Sequence, residues 1–73
     1  MYTTTLNDRK ATHVRIISAK NTPSNFVVTE GEIYPVIRNM QRGFEGEEII
    51  VDDAGNHIHC FSLCMKCEWL NKI

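Results

Sequence analysis

The chain has 73 residues, 42% of them apolar, with eight Lys and Arg against nine Asp and Glu for a formal charge of −1. That is the composition of a small soluble globular domain with one modest core, too short for barrel-shaped or doubly wound enzyme architectures. The charge balance lacks the basic excess of proteins that live mainly by neutralising phosphates, and no apolar run nears the roughly 18 residues of a membrane helix.

Residues 1–11 are polar, with Thr3, Thr4 and Thr5 in a row, and are expected to form a flexible N-terminal arm whose Tyr2 and Leu6 can dock. Residues 12–73 are expected to form a single small domain. Its first strand is Thr12 to Ser18, where alternation places Val14 and Ile16 on one face. The turn cluster Asn21 to Asn25 breaks that strand, and the short β-branched run Phe26-Val27-Val28-Thr29 follows before a second break at Glu30-Gly31. Glu32 to Met40 is again rich in strand formers, but Pro35 cannot donate to a central ladder and should lie at an edge or a bulge.

Gln41 to Gly46 sets Phe44 among glycines in a hairpin loop, after which Glu47 to Asp52 resumes the strand signal. Asp53-Ala54-Gly55-Asn56 is the clearest turn, reversing the chain into His57 to Phe61. Ser62 to Lys66 suits a single helical or 3₁₀ turn, and Cys67 to Leu70 a last short strand. Five or six short strands without a long helix point to an all-β fold, a small barrel being the economical solution.

The order of pieces resembles SH3-like barrels, in particular small ones of bacteriophage type. An opening strand and loop lead to Gly31-Glu32-Ile33-Tyr34-Pro35-Val36, then a hairpin through Asp53 to Asn56 and a tight turn before Cys67-Glu68-Trp69. The resemblance covers roughly residues 12–70. The aromatic cluster of proline-reading SH3 domains is missing, so polyproline recognition does not carry over.

The densest group of chemistry-bearing residues is His57, His59, Cys60, Cys64 and Cys67. Cys64 and Cys67 have the Cys-x-x-Cys spacing of a zinc knuckle, but His59 and Cys60 are neighbours on an expected strand and point to opposite faces. The sequence reading therefore takes the thiols as small core groups of a reducing compartment and expects no metal and no cofactor, with a structural zinc module as an alternative. Three cysteines crowded into eight positions do not suit a disulfide framework. No positive segment followed by an apolar one opens the chain, so no secretory signal is expected and a cytoplasmic address follows, the host cytoplasm if the chain is phage-encoded.

No reaction chemistry stands out, and a non-enzymatic protein-binding regulator is the expected function. Charge is segregated, with basic residues early and Glu45, Glu47, Glu48, Asp52 and Asp53 crowded together later. Arg9, Lys10, Arg15 and Arg42 are the candidate cations for steering and pairing with a partner, and Phe44 is the candidate apolar anchor. The acidic hairpin is expected to mimic phosphate charge or repel DNA. The phage-type resemblance implies a host target, with bacterial RNA polymerase as the specific expectation and transcription regulation as the outcome, the chain acting as a monomer. The alternative is a small barrel that binds single-stranded nucleic acid on a basic groove with aromatic platforms.

Overall fold

The structure, a computed structural model, describes residues 1–7, 10–40, 42–43 and 46–73. The chain is all-β. Its strands are β1 (Tyr2–Thr4), β2 (His13–Ser18), β3 (Ile33–Pro35), β4 (Ile37–Arg38), β5 (Glu48–Val51), β6 (His57–His59) and β7 (Lys66–Lys72), with one 3₁₀ turn at Phe61–Leu63. They form two antiparallel sheets, one in the order β1-β7-β2-β3 and the other β4-β5-β6.

The run from Ile33 to Arg38 serves both sheets. It pairs with β2 as far as Pro35, breaks at Val36, whose N–H donates to Thr12 O at 2.9 Å, and then pairs with β5. Pro35 falls on an outer strand of the four-stranded sheet, where its missing N–H leaves no gap in a central ladder. Alternation sends Val14 and Ile16 of β2 inward as expected, to meet Tyr34, Ile50, Ile58, Phe61 and Met65 in one buried cluster. Trp69 closes its side, tilted against Phe61 with ring centroids 5.5 Å apart, a geometry aromatic pairs favour.

Three expectations need revision. The arm over residues 1–11 is not wholly free, because Tyr2–Thr4 pair with Leu70–Lys72 of β7 and Ala11 is buried. The cause is the last strand, which runs through Lys72 instead of stopping at Leu70 and so presents a ladder for the threonines to join. Leu70 lies on the face opposite the core, in register with Thr4 and His13, yet is only 1% exposed. Tyr2 stacks edge-on against His13 at 4.8 Å on that same face, so the docked segment helps cover Leu70.

The second revision concerns Phe26 to Thr29, which form no ladder strand. Val27 instead hands its N–H to a side chain, Asp52 Oδ2 at 2.8 Å, and its carbonyl accepts from Asp53 N at 2.8 Å. Both backbone groups are satisfied by the β5–β6 turn, so no strand partner is required. The third is Cys60. The strand ends at His59, and Cys60 takes a left-handed conformation (φ 54°) that leads into the 3₁₀ turn and leaves the residue exposed, not in the core.

Candidate protein-docking face

Strand alternation assembles the outer face of the four-stranded sheet from the residues that do not enter the core. His13 and Arg15 of β2, Lys66, Glu68, Leu70 and Lys72 of β7, and Ile33 and Pro35 of β3 share it, with the cross-strand rows Leu70-His13-Pro35 and Glu68-Arg15-Ile33 at its middle and the exposed Lys66 and Lys72 at the ends of β7. Arg15 stands at the middle of its row. Its Nη1 donates to Glu68 Oε1 at 2.6 Å, and both side chains remain more than a third exposed. Ile17, the extra residue where the β2–β7 register shifts, is 45% exposed beyond this row.

The sequence-predicted residues are scattered over several elements. Arg9 and Phe44 lie outside the described residues. Lys10 is exposed in the turn before β2, its N–H donating to Asn7 O at 3.1 Å. Arg15 reaches the outer face but is already paired with Glu68, so it offers a partner a neutralised pair and not a free cation. Arg42 is exposed in the loop between β4 and β5, on the other sheet's side of the chain. Among the described residues no hydrogen bond or ion pair joins Lys10, Arg15 and Arg42.

Of the expected acidic block, Asp52 is committed inside the molecule and Asp53 is exposed. Asp52 is 5% exposed, and its carboxylate accepts from the backbone N–H of Val27, Ala54 and Asn56 and from the Asn56 side-chain amide, at 2.7 to 3.2 Å. Burial pushes this carboxyl up, but the donors from Val27, Asn56 and Ala54 outweigh burial and hold it below its ordinary value. Asp53 accepts from the Tyr34 hydroxyl at 3.0 Å and from the Thr29 hydroxyl at 2.7 Å, and the Tyr34 oxygen in turn accepts from Thr29 N at 2.8 Å. Burial, with Asp53 adding to it against the Thr29 bonds, raises the Tyr34 phenol above its usual range. Asp52 is thus turned inward, while Asp53 keeps an exposed carboxylate on the hairpin.

At the other end of the acidic block, Glu47 pairs with Nδ1 of His59 and accepts from Asn39 Nδ2 at 3.5 Å. The His59 contact is the main reason the Glu47 carboxyl sits below its usual value. The loop these residues close is stitched at its base by Asn39 N to Glu47 O (2.8 Å) and Gly46 N to Asn39 O (2.9 Å). Met40, 83% exposed beside that base, and the half-exposed Ile37 are apolar surface groups that the sequence reading did not single out. Their signal was present in the strand-forming run that continues through Met40, but nothing local says which of its residues the sheet buries.

The cysteines divide. Cys64 Sγ donates to Phe61 O at 3.5 Å, and Cys67 faces the core opposite Ile16; both pack against the core cluster. Burial, then the neighbouring Cys64, pushes the Cys67 thiol up, so it stays protonated near neutrality and behaves as a packing group. Among the described residues no group of three or more His, Cys, Asp and Glu side chains is placed to hold a metal ion. Comparison of the chain with family models, with curated proteins and with solved structures finds no match.

Proposed function

We propose that the chain is a non-enzymatic binding module whose outer four-stranded face meets a protein partner. The observation that carries this reading is the make-up of that face, where an internally neutralised Arg15–Glu68 pair sits with Ile33, Ile17, Pro35 and the Tyr2–His13 aromatic pair, and the exposed Lys66 and Lys72 stand at the two ends of β7. Interface centres favour apolar and aromatic groups with charges at the rim, which is where Lys66 and Lys72 stand on this face. Lys10 supplies charge steering, and the loop with Met40 and Arg42 supplies a second contact.

Binding acts by occupying a partner's surface, and no residue makes or breaks a bond. The narrower reading, a phage-type regulator of bacterial RNA polymerase, rests on the SH3-like resemblance alone. Capture by the tagged protein from a bacterial lysate, with and without nuclease, tests both levels. A stoichiometric protein that survives nuclease supports the module, and polymerase subunits support the narrower reading. Retention that disappears with nuclease, and falls steeply with salt, refutes the protein-binding reading in favour of nucleic acid.

A further inference from the structure

Sheet edges expose unpaired backbone groups, and the two edges of the four-stranded sheet treat this hazard differently. The β3 edge carries Pro35, preceded three residues upstream by the charged Glu32. The β1 edge is Tyr2-Thr3-Thr4, continued by Thr5, with no proline, no charge and side chains that favour extended backbone. Its register fixes which groups are unpaired. Thr5 N donates to Trp69 O at 3.0 Å and Ile73 N to Met1 O at 2.9 Å, so the odd-numbered residues bond to β7. Antiparallel alternation then turns the N–H and C=O of Tyr2 and Thr4 away from the sheet. Among the described residues neither meets a hydrogen-bond partner on that side.

Two outward residues spaced two apart on one strand are complementary to the same strand running the other way. A two-fold axis through Thr3 sets Tyr2 of one copy opposite Thr4 of the other, and each such pair exchanges two N–H to O=C bonds. The neutral edge brings no like charges together on the paired strands. Met1, 87% exposed, and Leu6, fully exposed, bracket the strand, and the same axis carries Met1 of each copy towards the Thr5–Leu6 end of the other.

We propose that this chain self-associates through β1, two copies pairing their first strands antiparallel to make one continuous eight-stranded sheet. This is independent of the partner reading, which places its contact on the sheet's face and not its edge. Three-residue strands bury far less than the roughly 1,200 Å² of a stable interface, so the dimer is weak, with Kd on the order of 100 µM to 1 mM.

Sedimentation equilibrium under reducing conditions, up to about 1 mM protein, tests it on the wild type and two variants. Thr4→Pro removes only an outward donor, since the Thr4 N–H makes no bond to β7, and the preceding residue stays extended as proline requires. Thr3→Lys deletes no backbone group and brings two ammonium groups to the axis. The expected result is an average mass that rises with concentration in the wild type, with association weakened about thirtyfold by Thr4→Pro, from the two lost hydrogen bonds, and abolished by Thr3→Lys. A wild type that stays monomeric throughout, or a dimer that survives Thr3→Lys, overturns the proposal. If Thr4→Pro loses the slow amide exchange of Thr5, whose N–H holds β1 to Trp69 O, Thr3→Lys decides alone. An extended strand from another protein that binds this edge while the wild type remains monomeric also overturns it.

Discussion

The two acid-bearing connections of the three-stranded sheet look alike in sequence and behave differently in the fold. The β5–β6 turn carries Asp52 and Asp53 with Gly55 (φ 88°); the β4–β5 loop carries Glu47 at its end with Gly43 and Gly46. In the first, both carboxylates are tied to other segments, Asp52 buried and Asp53 exposed but bonded to Tyr34 and Thr29. Asp52 organises its own turn and reaches across to Val27, so that a loop 25 residues away is held without a strand. In the second, Glu47 secures only the base of the loop, by way of His59 and Asn39, and leaves Arg42 and Met40 outside. One block of acidic sequence is thus split between a structural fastening and the foot of an exposed loop. A charge run acquires meaning only from the donors the fold brings to it.

The largest expected effect is therefore at Asp52. Asp52→Ala leaves the N–H groups of Val27, Ala54 and Asn56 without their acceptor and loosens both the turn and the Phe26–Thr29 segment. Its melting midpoint should fall further than that of any other single acidic substitution in the chain, measured by circular dichroism. The same residue gives acid sensitivity. Because its folded pKa is depressed, its contribution is present above the ordinary carboxylate pKa and is lost as pH falls through the lower folded value; Asp52→Asn should flatten that acid limb.

Next comes Tyr34→Phe, which removes the hydroxyl shared by Asp53 and Thr29 while keeping the ring in the core. It should cost about 1–2 kcal/mol, or a fall of about 5–10 °C in Tm. Since the folded phenol is raised, the wild type keeps this contribution below the ordinary tyrosine pKa and loses it as pH climbs through the higher folded value. Melting curves from about pH 9 to 12 should therefore converge with those of Tyr34→Phe at the alkaline end. The smallest effect belongs to Glu47→Gln. An exposed pair with histidine contributes little to overall stability, so Tm should hardly move, while amide exchange at Asn39 and Gly46 should quicken as the loop base loosens. Equal Tm losses for Asp52→Ala and Glu47→Gln would erase the contrast between the two connections.

Much of the fold was legible because it is written locally. The alternation of Val14 and Ile16, the Asp-x-Gly turn, the tight turn before the last strand and the edge position of Pro35 each depend on a few neighbouring residues. What escaped depends on register between distant segments. Arg15 meets Glu68 across 53 residues of chain, and no periodicity in either stretch announces that pair. Tyr2–Thr4 became a strand only because β7 runs on to Lys72, and Phe26–Thr29 did not become one because a carboxylate and a turn amide took its backbone groups. The candidate site fared accordingly. Composition could nominate Lys10, Arg15 and Arg42 as cations, but only the sheet order shows that Arg15 is already neutralised, and that Ile17 and Ile33 lie beside it.

The measurement that bears most directly on the proposed face is quantitative retention of the captured partner by two surface variants of matched stability, Ile17→Asp on the outer face and Ala54→Lys in the exposed β5–β6 turn. The proposed docking face predicts that Ile17→Asp loses the partner, by tenfold or more in affinity for a charge placed in an apolar contact, and that Ala54→Lys retains it. Undiminished binding by Ile17→Asp, with loss in Ala54→Lys, would contradict it and move the interface to the hairpin.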